Sequence, residues 1–207
     1  MKRFFFFICV LAILSFAVPS LVVAQSNYIT LKPGIYSPQS NDLKHFDTGF
    51  NGEIAFGHQY NPNFAIEMGL GYFNTEATFR GAGQVTGISY AGEERDSLDV
   101  VPIILTFKGI IPVNNWEFFG LGGIGAYVVN TDVKLSGSVG PYTGRLSDSD
   151  TDTIFGVHLG LGLHYNITPS WFVGAEGKYL LTSKAKYGNA EFKIDGILAT
   201  AVLGFRF

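Results

Sequence analysis

The stretch FGVHLGLGLHY, residues 155–165, alternates without interruption between large apolar residues and residues that are glycine or histidine. Because successive side chains of a β-strand point to opposite faces, this period of two predicts a strand with one apolar face and one small or polar face. The stretch is roughly twice as long as an average soluble strand, which has about five or six residues. A strand of this length suits a sheet that crosses a membrane, which needs about 9 to 11 residues per strand.

The same alternation recurs along most of the chain and predicts an all-β protein. In residues 64–72, for example, Phe64, Ile66 and Met68 share one face, while Glu67 lies on the other. No segment keeps the i, i+3, i+4, i+7 stripe of an amphipathic helix over three turns. The pattern predicts eight strands, at residues 28–35, 50–60, 64–75, 98–111, 116–131, 153–167, 171–182 and 192–207.

Composition supports a protein that exposes apolar surface to lipid rather than to water. Aromatic residues make up 15% of the chain and charged residues only 15%, whereas soluble domains carry about 25% charged residues. Beyond the N-terminal segment, no run approaches the ~18 apolar residues of a membrane helix. The net charge of −3 and the lack of a basic cluster in the sequence argue against a nucleic-acid partner.

The N-terminal segment has the features of a secretory signal peptide. Lys2 and Arg3 precede a short apolar run, which ends at Pro19 before the small residues around Ala24. We expect a signal peptide at residues 1–24 and one mature domain at residues 25–207; a retained anchor is the alternative. The only cysteine, Cys9, lies inside the apolar run, so neither a disulfide nor a lipid-modified cysteine is expected in the mature protein.

Short and long connections alternate between the predicted strands. Tight turns are predicted at residues 61–63, 112–115 and 168–170, where Pro and Asn cluster. The other connections are long and polar, at residues 37–49, 76–96, 132–152 and 183–191. Short turns on one side and long loops on the other are typical of an outer-membrane barrel. The predicted fold is therefore an eight-stranded antiparallel up-and-down transmembrane β-barrel.

Glycine indicates which face of each strand meets lipid. A water-facing surface has no need of so many glycines, which weaken strands, whereas the lumen of an eight-stranded barrel is just wide enough for side chains to fill. We therefore place the glycine-rich face inside and the apolar face outside. Aromatic residues near the strand ends fit an interfacial girdle; they are Tyr60, Phe64, Trp116, Tyr165, Trp171, Phe205 and Phe207.

Charged residues of both signs fall on the predicted lumen face, and buried charges need partners. These residues are Lys32, Glu53, Glu67, Lys108, Glu176, Lys178 and Arg206. We expect them to form a structural ion-pair network that holds the barrel closed. A path for protons or ions is the alternative. Inward apolar residues such as Ile104, Phe172 and Leu180 also leave open a narrow channel for small hydrophobic molecules.

One predicted strand loses its alternation at a pair of glycines. In FFGLGGIGAY, residues 118–127, Gly122 and Gly123 leave Ile124 out of phase with Phe119 and Leu121. A bulge or sharp bend would explain this, because glycine pairs often mark such irregularities. Alternatively the register is kept and Ile124 points inward.

The chain resembles the small outer-membrane β-barrel proteins of Gram-negative bacteria, the group similar to OmpA, OmpX and OmpW. The resemblance rests on the signal peptide, the eight alternating strands, the one-sided long loops and the final LGFRF. It implies that the last strand pairs with the first, and that the barrel-assembly machinery reads Leu203, Phe205 and Phe207. It also implies a monomer surrounded by outer-membrane lipid and lipopolysaccharide. The implied roles are structural or surface-interacting, or passage of small hydrophobic molecules as in the OmpW group.

Candidate catalytic and metal-binding residues are present but match no known spacing. Lipid A deacylases of similar size have His two residues before a nucleophilic Ser, yet here Gly160 follows His158 and Asn166 follows His164 at that spacing. Neither Ser149 nor Asp150 completes a recognised motif. We therefore expect no enzymatic activity and no cofactor.

Asp148, Asp150 and Asp152 alternate in SDSDTDT and could gather oxygen ligands for calcium. The glycine and glutamate positions of an EF-hand loop do not follow, so a solvated loop is the favoured interpretation and no metal site is predicted.

Overall fold

The computed structural model describes residues 26–85, 88–139, 142–188 and 190–207. The predicted signal peptide lies outside the described residues. A 3-10 helix covers Asn41–Leu43, and no helix among the described residues is long and apolar enough to cross a membrane. The strands are β1 (Ser26–Pro38), β2 (Gly49–Asn61), β3 (Phe64–Val85), β4 (Ile88–Val113), β5 (Trp116–Val139), β6 (Tyr142–Asn166), β7 (Trp171–Thr182), β8 (Ala185–Tyr187), β9 (Ala190–Phe192) and β10 (Gly196–Arg206).

Eight of these strands close into an antiparallel barrel, which confirms the predicted fold class. Their order around the barrel is β1, β10, β7, β6, β5, β4, β3, β2. The first and last strands pair directly, with Leu31 opposite Leu203 and Tyr28 opposite Arg206. Because lipid offers no hydrogen-bond partners to the backbone, a sheet in a membrane must close so that the N–H and C=O groups of every strand are paired.

Side chains alternate between the two faces as predicted, with the apolar set outside. Leu31 is 55% exposed and the adjacent Lys32 is 1% exposed. In the stretch 155–165, Phe155 and Leu161 are exposed, while His158 is buried. Whether a residue has an odd or an even position along its strand, which we call its parity, therefore decides whether it lies on the apolar outer face or the polar inner face.

In their described residues, two of the predicted long loops are strand instead. Strands β3, β4, β5 and β6 continue past the barrel, where they pair only with one another. We call this four-stranded extension the ribbon, comprising residues 74–85, 88–99, 130–139 and 142–152. Its sequence is polar and rich in Gly and Ser, which suggested loops, but a paired neighbour supplies the backbone hydrogen bonds whatever the composition.

The other two long connections pack at the same end of the barrel. One contains the 3-10 helix, and the other forms the small hairpin β8–β9. Phe192 belongs to this hairpin, so the predicted start of the last barrel strand at residue 192 is wrong. That strand begins at Gly196.

Strand β5 runs without a bulge, and its phase differs from both predicted alternatives. It pairs with β4 and β6 in an unbroken register through Gly122 and Gly123. Ile124 is exposed, whereas Phe119 and Leu121 are buried in the lumen. The outward positions between Phe118 and Ile124 are glycines, so the outer face shows no apolar signal there and the inward residues dominate the pattern.

Candidate functional site in the barrel lumen

Six of the seven predicted lumen charges come together at one level of the barrel. They converge from five different strands because each lies on the inward parity of its strand. These six residues, which we call the lumen ion cluster, are Lys32 on β1, Glu53 on β2, Glu67 on β3, Lys108 on β4, and Glu176 and Lys178 on β7.

Lys32 lies at the centre of three carboxylates. Its Nζ is 3.1 Å from Glu53 Oε1 and 2.7 Å from Glu67 Oε2. The same nitrogen is 3.2 Å from Glu176 Oε2. A buried ammonium with three such acceptors has the partners that burial requires.

The other two lysines connect the same carboxylates. Lys108 Nζ is 2.7 Å from both Glu67 Oε1 and Glu176 Oε2. Lys178 Nζ is 2.6 Å from Glu53 Oε2 and 3.4 Å from Glu176 Oε1. Glu176 therefore contacts all three lysines, and the three positive charges balance the three negative ones.

Apolar side chains pack on both sides of the lumen ion cluster along the barrel axis. Towards the short turns lie Tyr28, Ala65, Ile110, Phe119, Leu121, Phe172 and Val202. Towards the ribbon lie Tyr36, Leu43, Phe73, Leu98, Val100, Ile104, Tyr127, Val129, Ile154, Leu180, Ala185, Ile194 and Leu198. The charges are thus held between two apolar layers, where the local dielectric is low.

Connecting segments contribute to the layer at the ribbon end. Leu43 and Ile194 are buried there, although both lie outside the barrel strands. The Tyr36 hydroxyl donates to the Ile194 carbonyl at 3.0 Å. The Asp195 carbonyl accepts from the Gln39 amide at 2.9 Å. These hydrogen bonds fix the two segments over the mouth of the lumen.

Lumen glycines make room for aromatic rings. A Cβ placed on Gly204 would overlap the Phe172 ring, and one placed on Gly57 would overlap the Tyr28 ring. Packed atoms cannot approach so closely, so these rings fit only because the opposing positions carry no side chain. The sequence placed these glycines and Phe172 on the lumen face, but it did not show which glycine lies against which ring.

Arg206 does not join the lumen ion cluster. Its guanidinium donates to Glu117 Oε2 at 2.7 Å and to Asn166 Oδ1 at 2.6 Å, and it stacks over the Phe172 ring at 4.5 Å. The apolar layer around Phe172 separates it from the six clustered charges. Glu117 was missed because the phase of β5 was misassigned; its place next to the outward Trp116 was the available signal.

The two lumen histidines have partners of their own. His158 Nε2 is 2.9 Å from the Thr106 hydroxyl. His164 packs between Phe119 and Phe172, with ring centroids 4.5 and 4.6 Å away. Asp150 lies in the ribbon, about 26 Å along β6 from His158 at ~3.3 Å per residue. The candidate catalytic residues are therefore not assembled into one site.

The aspartates of SDSDTDT dock the β8–β9 hairpin onto β6. Asp152 Oδ2 accepts from the Lys186 amide at 2.9 Å, and Asp150 Oδ2 accepts from the Gly188 amide at 3.3 Å. The Tyr187 hydroxyl donates to Asp148 Oδ2 at 3.2 Å. In the described part of the chain, no group of three or more His, Cys, Asp or Glu residues is arranged to hold a metal ion.

The predicted aromatic girdle lies on the outer face at the short-turn end. Trp171 and Phe205 have ring centroids 4.9 Å apart, as do Trp116 and Tyr165. The ring centroid of Phe207 lies 6.3 Å from that of Phe205. We call these five rings the aromatic row. The C-terminal residues Leu203, Phe205 and Phe207 are all exposed on the outer face.

Comparisons with known proteins agree with this architecture. The family model described as outer membrane protein beta-barrel domain matches residues 8–207. An uncharacterized protein of Coxiella burnetii (strain RSA 493 / Nine Mile phase I) is 26% identical over 173 residues, covering 77% of this chain and 68% of that protein.

The same fold occurs in a solved structure. A major outer membrane protein from Thermus thermophilus has a TM-score of 0.54 at 13% identity, covering 89% of this chain and all of that one. A second match, Neisserial surface protein A (NspA), has a TM-score of 0.49 at 13% identity, with 89% of this chain and 100% of that chain covered.

Proposed function

Because the chain belongs to the outer membrane protein beta-barrel family, we propose that it is a closed, non-enzymatic barrel with a structural and surface-interaction role. In outer-membrane barrels the short turns face the periplasm and the long connections face outwards. The ribbon and the β8–β9 hairpin are then the parts presented outside the cell. The barrel itself anchors them in the membrane.

The lumen ion cluster between its two apolar layers is the observation that carries the proposal. An ion passing through the lumen would have to separate lysine–glutamate contacts of 2.6 to 2.7 Å. Separating a buried pair leaves an uncompensated charge, at a cost of about 3–5 kcal/mol. The neutral, paired cluster therefore favours a closed lumen over a conducting one.

The arrangement of the candidate catalytic residues supports a non-enzymatic role. Nucleophilic catalysis needs a nucleophile within hydrogen-bond reach of its base. Among the described contacts, His158 is next to Thr106 and the lumen ion cluster, and Ser149 lies in the ribbon. Ser149 and His158 are about 30 Å apart along β6 at ~3.3 Å per residue, too far to act as a nucleophile and its base.

We also expect the partners of an ordinary outer-membrane barrel. The apolar outer face would contact lipid and lipopolysaccharide, and the aromatic row would lie at the periplasmic interface. The exposed Leu203, Phe205 and Phe207 would be read by the barrel-assembly machinery during biogenesis. Cleavage of residues 1–24 and a monomeric state belong to the same proposal.

Planar-bilayer recording tests the closed lumen. Purified wild-type protein is expected to give no steady conductance step on the nanosiemens scale. The variant Glu191→Gln, which changes an exposed carboxylate outside the lumen, should behave in the same way. Steady wild-type steps of that size would contradict the closed barrel.

A narrow channel for small hydrophobic molecules is the second candidate. A concavity of about 670 Å³ on the outer wall is lined by apolar residues, including Ile103, Ile124 and Val157. It lies beside Gly125 and Gly156, which pair across β5 and β6 and face the lumen without side chains. Liposome uptake of a hydrophobic solute decides between the candidates: flux above empty vesicles supports a channel, and its absence supports the closed barrel.

A further inference from the structure

The two faces of the ribbon differ in charge, because the charged residues of the inward face are all acidic and the outward face carries both basic and acidic ones. All four of its basic residues have the outward parity; they are Arg80, Arg95, Lys134 and Arg145. Five acidic residues have the inward parity; they are Glu94, Asp96, Asp148, Asp150 and Asp152. Burial and the nearby Glu94 raise the pKa of Asp96 on that inward face. The outward face is thus the only basic surface of the ribbon.

Strand register gathers the four basic residues into two adjacent rows. A row here is the set of residues paired across β3, β4, β5 and β6. One row contains Arg95 on β4 opposite Lys134 on β5. The next row contains Arg80 on β3 and Arg145 on β6, the two edge strands. Neighbouring strands lie about 4.8 Å apart and alternate residues about 7 Å apart, so the four side chains share one small area.

Within these two rows the only carboxylate is Glu93; the adjacent row towards the barrel carries Glu76 and Asp132. Glu93 accepts from Arg80 at 3.1 Å and from Arg95 at 3.2 Å. In the described part of the chain, Lys134 and Arg145 make no ion pair, and both are exposed. The patch therefore has four positive charges against one negative charge, with two cations free to bind an anion.

A concavity of about 840 Å³ lies beside the basic rows. Small residues leave this space, because Ala82, Ala91 and Ser138 form the next outward row beyond Arg80 and Arg145. The backbone between the two rows is glycine on all four strands; the glycines, which have the inward parity, are Gly81, Gly92, Gly137 and Gly144. Its lining combines the arginines Arg80 and Arg145 with the hydroxyls of Ser136, Ser138 and Thr143. Guanidinium groups match phosphate geometry, and hydroxyl groups can donate to and accept from sugars.

The height of the patch places it among the sugars outside the membrane. On β4, among residues whose burial is described, Val101 is the exposed large apolar residue nearest the ribbon, and Arg95 and Glu93 lie beyond it on the same face. With a rise of ~3.3 Å per residue and a strand tilt of about 40°, these rows stand roughly 15 to 20 Å beyond the apolar band. The intervening rows carry Glu76, Asp99 and Asp132, which would repel phosphates close to the membrane.

We propose that this basic concavity binds the phosphorylated core oligosaccharide of lipopolysaccharide in the surrounding outer leaflet. The assignment rests on the proposed function, which places the ribbon outside the cell. The outward face continues the lipid-facing side of the barrel, so its neighbours are glycolipids rather than the lumen. Charge complementarity and hydroxyl lining select a phosphorylated saccharide.

Calorimetric titration of folded protein in neutral detergent micelles tests this assignment. The probe is deacylated, phosphorylated core oligosaccharide from rough-type lipopolysaccharide, compared with the same oligosaccharide after phosphatase treatment. The double variant Lys134→Gln/Arg145→Gln should bind the probe at least tenfold more weakly than wild type. Removing these two residues orphans no carboxylate, so folding should be unaffected, as checked by the mobility of the unheated protein on a gel.

The matched control is Lys186→Gln/Lys193→Gln, which removes two exposed charges from the β8–β9 segment at the same end of the molecule. It should change affinity by less than twofold. Equal binding by Lys134→Gln/Arg145→Gln and wild type, equal binding of the dephosphorylated probe, or no wild-type binding would overturn the proposal. Tighter binding of a heparin-derived hexasaccharide would also overturn it, in favour of a soluble sulfated partner. Because the titration measures saccharide binding and the bilayer recording measures conductance, this proposal can fail while the closed barrel holds, and the reverse.

Discussion

At the scale of single residues, burial gives each charge of the lumen ion cluster a large effect. Glu176 is the member that contacts all three lysines, and its side chain is fully enclosed. A surface pair contributes little because water and salt screen it, but a buried pair is screened far less. The stability of the barrel should therefore depend strongly on this one carboxylate.

The variant Glu176→Gln should destabilise the barrel by about 3–5 kcal/mol, because it leaves buried positive charge without compensation. Urea unfolding in lipid vesicles measures the change. Glu191→Gln, on the exposed β8–β9 hairpin, is the control and should leave the unfolding midpoint in place. An unchanged midpoint for Glu176→Gln would show that the cluster does not hold the barrel together.

Gly204→Ala should destabilise the barrel by about 1–3 kcal/mol, the usual cost of overpacking. The new methyl group would collide with the Phe172 ring unless that ring moves. Gly177→Ala is the matched control, since nothing lies within 4 Å of its added Cβ. The same unfolding measurement applies, and equal stability of the two variants would refute the role assigned to Gly204.

At the scale of elements, the terminal strand β10 both closes the barrel and carries the exposed aromatic row. It pairs with β1 on one side and β7 on the other. Arg206 on this strand also reaches Glu117 of β5 across the short-turn end. Closure therefore depends on this short segment, and we propose that recognition during assembly depends on it as well.

Phe207→Ala should lower the fraction of folded protein in the outer membrane several-fold, because the resemblance assigns this residue to recognition by the assembly machinery. The measurement is the ratio of folded to unfolded bands on a gel of unheated membranes. Phe155→Ala removes an equally exposed aromatic from the outer face of β6 and serves as the control. Equal losses in both variants would point to lipid contact rather than to recognition.

At the scale of the whole molecule, the barrel separates two chemically different ends. The short-turn end carries the aromatic row, and the opposite end carries the ribbon with its basic outward face. Between the two ends lies the lumen ion cluster, whose three positive and three negative charges are paired. Under the proposed function, the ribbon end faces the outside and the lumen between the two ends stays closed.

Cysteine labelling tests this orientation. The only cysteine lies in the predicted signal peptide, so a single introduced cysteine gives an unambiguous signal. A membrane-impermeant maleimide should label Ser147→Cys, in the ribbon, on intact cells. Asn114→Cys, in the turn between β4 and β5, should react only after lysis. Labelling of Asn114→Cys on intact cells would reverse the orientation.

The amino-acid sequence alone was enough to predict the fold class and most of the charged residues in the lumen. A period of two assigns every side chain to one of two faces, so Lys32, Glu67 and Glu176 could be placed inside without coordinates. The same parity rule failed in β5, where outward glycines removed the apolar signal. It also could not show that polar segments would pair, so the ribbon was interpreted as loops.

Which of these charges meet depends on the three-dimensional arrangement of the strands. Parity tells which face a residue lies on but not its level along the barrel axis. That level depends on the stagger between neighbouring strands. That stagger brings six charges together, sends Arg206 to Glu117, and aligns Arg80, Arg95, Lys134 and Arg145 from four separate strands. These contacts join residues far apart in the chain, and their register is set by hydrogen bonding around a closed sheet.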